Sequence, residues 1–192
     1  VTGNTVDPVV MSLLDAGSAV VAFDPLGVGQ QRPEKPFTVN PQYAGFTWGY
    51  NRPLLANQVR DLLSTLAFSQ TLEKSLPLHL AGWSHFGPLA VLGLATAGEA
   101  IAKTVADLDQ FDFDGIRDLN DSRLLPGAVK YGGLGNFLAL CAPSEILAFR
   151  LAERTDPRNA QAAYRIANAN EKLQLRKESV APAQVVRWLC AD

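Results

Sequence analysis

Short apolar runs separated by turn-forming residues set the rhythm of this chain. Ser18 to Phe23 (Ser-Ala-Val-Val-Ala-Phe) is continuous, apolar and rich in β-branched residues, with Gly17 before it and Asp24-Pro25 after it. That pattern predicts a buried parallel strand. Val9 to Ala16, just upstream, has helical spacing. Leu55, Val59, Leu62, Leu63 and Leu66 recur at i, i+4, i+7, i+8 and i+11, which predicts an amphipathic helix lying on a sheet. Leu76 to Ala81 reads as the next buried strand and runs straight into Gly82-Trp83-Ser84-His85-Phe86-Gly87. Pro88 to Ala97 then reads as a buried helix of small apolar residues, and Ile101 to Leu108 as a third strand. Phe137 to Cys141 is the end of a helix and Glu145 to Phe149 a fourth strand. Asp156 ahead of Pro157 has the form of an N-cap followed by proline at the first helical position, opening a helix through Asn170. A short strand, Leu173 to Arg176, precedes a last helix from near Pro182 that packs Val185, Val186 and Leu189.

Two stretches break the rhythm. Residues 30–53 are rich in Pro, Gly, Asn and aromatics without a period, which predicts a long loop over the sheet, and residues 109–127 form an acidic, turn-rich excursion. The alternation of strand and helix predicts an α/β fold, a mostly parallel sheet with flanking helices, as one domain over residues 1–192. Hydrophobic residues at 47% and charged residues at 19% suit such a core-bearing domain. The formal charge of -2 offers no field for nucleic acid or an anionic membrane, and no apolar run approaches the ~18 residues of a membrane span. Neither class of partner is expected. Cys141 and Cys190 lie in apolar surroundings without CxxC or Cys/His spacing, so buried free thiols or a disulfide are expected rather than a metal site. No cofactor is implied.

The chemistry concentrates at one turn. A strand that ends in Gly82-Trp83-Ser84-His85-Phe86-Gly87 and feeds a small-residue helix has the context of a nucleophile elbow, which lifts a serine hydroxyl above the sheet. The helix start would aim the His85 amide at developing negative charge. Phe86 stands where the usual G-x-S-x-G has its second glycine, and Gly87 follows one residue later.

Together with Phe23-Asp24-Pro25-Leu26-Gly27-Val28-Gly29 and Phe46 to Pro53 (Phe-Thr-Trp-Gly-Tyr-Asn-Arg-Pro), this turn resembles α/β-hydrolases of the acetyl-xylan-esterase-like kind over most of the chain. The G-x-S-x-x-G spacing is also similar to the elbow of glucuronoyl esterases, and by that resemblance the His85 side chain could assist the oxyanion. The resemblance implies a serine-dependent carboxylic-ester hydrolase acting on acylated carbohydrates or similar small esters, with Phe46, Trp48, Tyr50 and Arg52 bordering the substrate or packing as an aromatic cluster. It also implies a secreted or periplasmic protein. It starts at the helix before the family's fourth strand, so an N-terminally incomplete or minimal sheet is expected. Either the Ser18 and Leu76 strands pair directly, or a second chain, a swapped copy or another segment fills the place between them.

The catalytic set expected on this reading is Ser84 as nucleophile, His85 for the oxyanion and Asp156 as the acid. Asp107, Asp109 and Asp112, after the Ile101 strand, compete for the acid's role. Each has a plainer reading: Ser84 and Asp156 as helix-capping side chains, the aspartate cluster as a solvated loop, and His79 as a satisfied core histidine. In this fold the base is a histidine after the last strand, yet residues 173–192 contain none, and Lys177 and Glu178 occupy that position instead. Two other readings therefore stand beside the enzyme: a pseudo-hydrolase that binds without turning over, and one piece of a larger hydrolase.

Overall fold

The computed structural model of the chain describes residues 6–73 and 76–191. Its centre is a sheet of four strands, β1 (His79–Gly82), β2 (Lys103–Asp107), β3 (Glu145–Phe149) and β4 (Leu173–Leu175), in the order β1-β2-β3-β4. Every neighbouring pair is parallel, with Gly82 opposite Ala106 and Asp107 opposite Phe149. The carboxyl ends of β1, β2 and β3 are thereby level, and three loops leave the sheet side by side.

Helices lie on both faces because successive strand residues point to opposite sides. Ala106, Ile146 and Ala148 face a large core shared with α3 (Leu54–Leu72), α4 (Gly87–Ala97), α5 (Gly133–Ala139) and α6 (Arg158–Ile166). Val105, Leu147 and Phe149 face a smaller core closed by Val185 and Leu189 of α7 (Pro182–Cys190) and by Leu13 of α1 (Pro8–Asp15). The expected α/β sheet with flanking helices is present. Burying an aliphatic side chain in such a core contributes roughly 1.5–3 kcal/mol, and α4 is buried at every residue from Gly87 to Leu94. Its small residues allow this: a Cβ on Gly93 would lie 2.4 Å from Leu62 Cδ2 of α3.

The first part of the chain departs from expectation. Ser18 to Phe23 has no regular secondary structure and joins no strand among the described residues, and Val20 and Val21 are exposed. It therefore does not pair directly with β1, which remains an edge of the described sheet. An apolar, β-branched run satisfies the strand pattern, but a strand exists only where a neighbouring backbone completes its hydrogen bonds. The Asp24 loop that follows is pinned to α3: Asp61 Oδ2 accepts from the Leu26 N–H at 2.9 Å, and Gln58 Nε2 donates to the Leu26 carbonyl at 2.9 Å.

Residues 30–53 are less irregular than expected, since Ala44–Tyr50 forms a helix, α2. None of its residues is buried, so no apolar periodicity marks it. Phe46 and Tyr50 are exposed, whereas the Trp48 indole N–H is buried without a hydrogen-bond partner. At the other end, α6 stops at Ile166 rather than Asn170, because Asn168 takes a left-handed φ of 52°. Cys141 is buried, and burial pushes its thiol up to about 12. Cys190, expected to be buried, is exposed and free.

Candidate active site

Four non-glycine residues with positive φ mark the carboxyl ends of three adjacent strands. They are Ser84 after β1 (50°), Asp109 and Gln110 after β2 (48° and 55°) and Arg150 after β3 (53°). Holding a side-chain-bearing residue in this region costs on the order of 1 kcal/mol or more, and such residues persist where the surroundings over-determine them. Here the surroundings are visible.

Ser84 sits between β1 and α4, in a single 3₁₀ turn, Ser84–Phe86. The turn closes because two glycines let backbone approach backbone. A Cβ on Gly82 would lie 2.4 Å from the Phe86 carbonyl oxygen, and one on Gly87 would lie 1.9 Å from the Asp107 carbonyl oxygen. The Gly87 contact explains the G-x-S-x-x-G spacing. The close approach to β2 falls on Gly87, so the position before it is free to carry Phe86, whose ring packs on the larger core. The Phe86 N–H donates to Trp83 O at 3.0 Å, while the His85 N–H is one of the amides that a helical start leaves without an acceptor of its own.

The Ser84 hydroxyl donates to Asp109 Oδ2 at 2.8 Å. The other oxygen of that carboxylate, Oδ1, meets Arg150 NH1 at 2.7 Å. Arg150 in turn holds Asp107 through two parallel bonds, Nε to Oδ1 at 2.6 Å and NH2 to Oδ2 at 2.7 Å. Asp107 is buried, with a side chain only 7% exposed, and its Oδ1 also accepts from the Asp109 N–H at 3.2 Å. Hydrogen bonding to Asp107, more than its charge or that of Asp109, raises the Arg150 guanidinium further above its already high value. Main-chain bonds tie the strands together as well, from Gln110 N to Arg150 O at 2.7 Å and from Leu108 N to Phe149 O at 2.9 Å.

Of the three residues expected from sequence, Ser84 is at the centre, His85 is adjacent and Asp156 is elsewhere. His85 Nε2 lies 3.0 Å from Ser122 Oγ, so its ring is turned toward the acidic excursion and not back onto Ser84. Burial, and then Arg123, lower its pKa, partly offset by Asp121, which keeps the imidazole neutral near pH 7. The Asp156 carboxylate, one residue ahead of the observed N-cap Pro157 and not itself the cap, is held by Arg158, whose Nε and NH2 reach it at 2.9 and 2.6 Å and whose N–H donates to it at 3.0 Å. These bonds lower its pKa to about 2. The carboxylate that Ser84 touches comes instead from the aspartate cluster after β2. His79 lies within β1, Lys177 is 3.9 Å from Glu153, and Glu178 offers its carbonyl to the Arg150 N–H at 3.3 Å.

Arg150 was not among the sequence candidates. Its one signal is position: a charged residue directly after a buried apolar strand, at the end of the sheet where α/β sites form. Beside Asp109 opens a cleft of about 180 Å³, lined by Gln110, Phe111, Asp112, Asp121, Arg123 and Arg154 among others. Asp112, also buried, accepts from the Thr155 hydroxyl. A hollow of about 290 Å³ bordered by Phe113, Leu125 and Val129 is lined by no Ser, Thr or Cys. Among the described residues, no three His, Cys, Asp or Glu side chains gather as a metal site.

No known family and no curated protein matches the chain by sequence. By structure it is similar to a CE15 glucuronoyl esterase from Teredinibacter turnerae, with 14% identity and a TM-score of 0.45 over 75% of this chain. The chain spans about half the length of that protein, 48%.

Proposed function

We propose that this chain is a serine-dependent, esterase-like hydrolase in which Ser84 attacks the carbonyl carbon of a small carboxylic ester. The observation that supports this most is the pairing of a left-handed φ at Ser84 with a 2.8 Å bond from its hydroxyl to Asp109. A serine that served only as a helix cap would accept a hydrogen bond from the first amides of the helix, whereas this one donates to a carboxylate across the strand ends. In the reaction, Oγ bonds to the carbonyl carbon as its proton passes to Asp109. The oxyanion forms beside the His85 N–H, and collapse expels the alcohol with that proton. Water then repeats the sequence on the acyl-serine and releases the acid. Acylated carbohydrates remain the substrate class implied by the resemblance of the Ser84 turn and the Phe46 to Pro53 segment, and the cleft beside Asp109 would take the polar part of such an ester.

A carboxylate is a weaker base than imidazole, and neither histidine reaches Ser84. This favours slow turnover, and it is also the observation behind a second reading, a pseudo-hydrolase that binds esters or sugars without cleaving them. Hydrolysis of nitrophenyl acetate and labelling by a fluorophosphonate, each in wild type and Ser84→Ala, separate the two. Turnover and label that both vanish in Ser84→Ala establish the enzyme. An unlabelled Ser84 with equal background in both proteins leaves the binding module.

A further inference from the structure

We propose that Arg150 is a positioning residue that aims Asp109 at the Ser84 hydroxyl; the proposal rests on the serine-hydrolase reading above. Asp109 is poorly held by itself. Its side chain is 45% exposed and its backbone is left-handed, in a loop where Gln110 is left-handed too. A short carboxylate in such a place samples several rotamers, and only some present an oxygen to Ser84. Arg150 removes that freedom. Two of its nitrogens are committed to Asp107, which is buried at the end of β2, so the plane of the guanidinium is fixed by the sheet. The remaining nitrogen, NH1, then occupies one definite place and binds Asp109 Oδ1 at 2.7 Å, leaving Oδ2 directed at Ser84 Oγ.

The backbone serves the same arrangement. Arg150 adopts its left-handed φ with its N–H on Glu178 O and its carbonyl on Gln110 N–H, so both neighbouring loops fix where the side chain starts. The planar fork is essential to this role. An ammonium offers a point charge without the geometry to grip one carboxylate bidentately while directing a third donor at another. Arg150 touches neither Ser84 nor the reacting carbonyl; it acts through Asp109.

A double-mutant cycle tests this, read as kcat and KM for nitrophenyl acetate and as the rate of fluorophosphonate labelling. Arg150→Gln is expected to lower kcat and labelling ~10–100-fold with KM little changed, as for a small misplacement of a catalytic group. Arg150→Lys should recover only part of the loss. In an Asp109→Asn background, Arg150→Gln should have no further effect, because the residue it positions is already disabled. Asp107→Asn, which loosens the anchor and keeps the arginine, supplies the same comparison should Arg150→Gln not fold. Equal rates in wild type, Arg150→Gln and Asp107→Asn would overturn the positioning role and leave the hydrolase standing. So would a loss in Arg150→Gln that persists undiminished in the Asp109→Asn background, the mark of a merely structural effect. A wild-type protein that neither turns over nor labels at Ser84 would sink the hydrolase reading itself, and this inference with it.

Discussion

Two aspartates, each bound to an arginine, occupy very different regions. Asp156 and Arg158 are two residues apart, and both lie at the solvent-exposed start of α6. Their pairing needs nothing from the rest of the fold. Asp109 and Arg150 come from the ends of different strands and are joined to the buried Asp107 and to Ser84. Local charge complementarity makes the first pair; the register of a three-stranded segment makes the second. An exposed pair of this kind is worth little to stability, whereas a network spanning several elements holds geometry that no single element could. A functional site is expected where distant parts of the chain are made to agree, and of these two regions the Asp109 one meets that condition.

The largest effect should come from breaking the two carboxylates separately. Asp109→Asn removes the proton acceptor on Ser84 and is expected to lower ester turnover and fluorophosphonate labelling by ~10²–10⁴-fold, the usual range for a general base. Asp156→Asn should leave both rates at the wild-type level. A reversal of these outcomes in steady-state kinetics would return the acid's role to Asp156.

Packing provides a second contrast, because each region rests on a glycine pressed against backbone. A Cβ on Gly87 would lie 1.9 Å from Asp107 O, and one on Gly135 would lie 2.2 Å from Asp156 O. Gly87→Ala and Gly135→Ala should each destabilise by about 1–3 kcal/mol in urea titrations, as overpacking does. They should differ in what the folded fraction can do. Gly87→Ala pushes β2 away from the Ser84 turn and should slow labelling of Ser84, while Gly135→Ala should leave it intact. Removing one anchor has a comparable cost: Asp107→Asn gives up charge-assisted bonds worth about 1.5–3 kcal/mol before screening at the partly exposed Arg150. The corresponding change at Arg158 should not be resolvable.

Much of this organisation was legible in the sequence where one element declares itself. β3 lies at Glu145–Phe149, where its apolar run predicts it, and α7 starts at the expected Pro182. The turn around Ser84 could be placed because its glycines, its serine and the following small-residue helix are contiguous. Asp156 was attractive for the same reason, since Asp-Pro before a helix is a local signal, but what it signals is the helix start. Asp109 stood among three aspartates that sequence could not rank, and Arg150 carried only its position. Their partnership depends on Asp107 lying opposite Phe149, a register set by strand pairing and not by any short motif. Ser18 to Phe23 failed for a related reason: its pattern is that of a strand, but strandhood also requires a neighbour.

The mildest test uses pH to read the two regions separately. Burial lowers the pKa of His85, with Arg123 adding to the effect, and it lowers that of His79, with Lys103 adding. Both therefore bind protons more readily when unfolded, at the ordinary value of 6.5. Stability should be at its full value above pH 6.5 and should decline as pH falls through 6.5 toward their folded values. Asp156 acts lower on the scale. Arg158 lowers its pKa to about 2 against an ordinary 3.8, but the pair is exposed and screened, so the stability it adds above 3.8, lost as pH falls through 2, is small. Urea midpoints measured from pH 8 to pH 3 should thus show a first decline that is shallower in His85→Gln, with the His79 share remaining, and is untouched by Asp156→Asn. If Asp156→Asn also flattened the decline between pH 6.5 and 5, the two regions would be coupled, and the separation between a local pair and a site built across strands would fail.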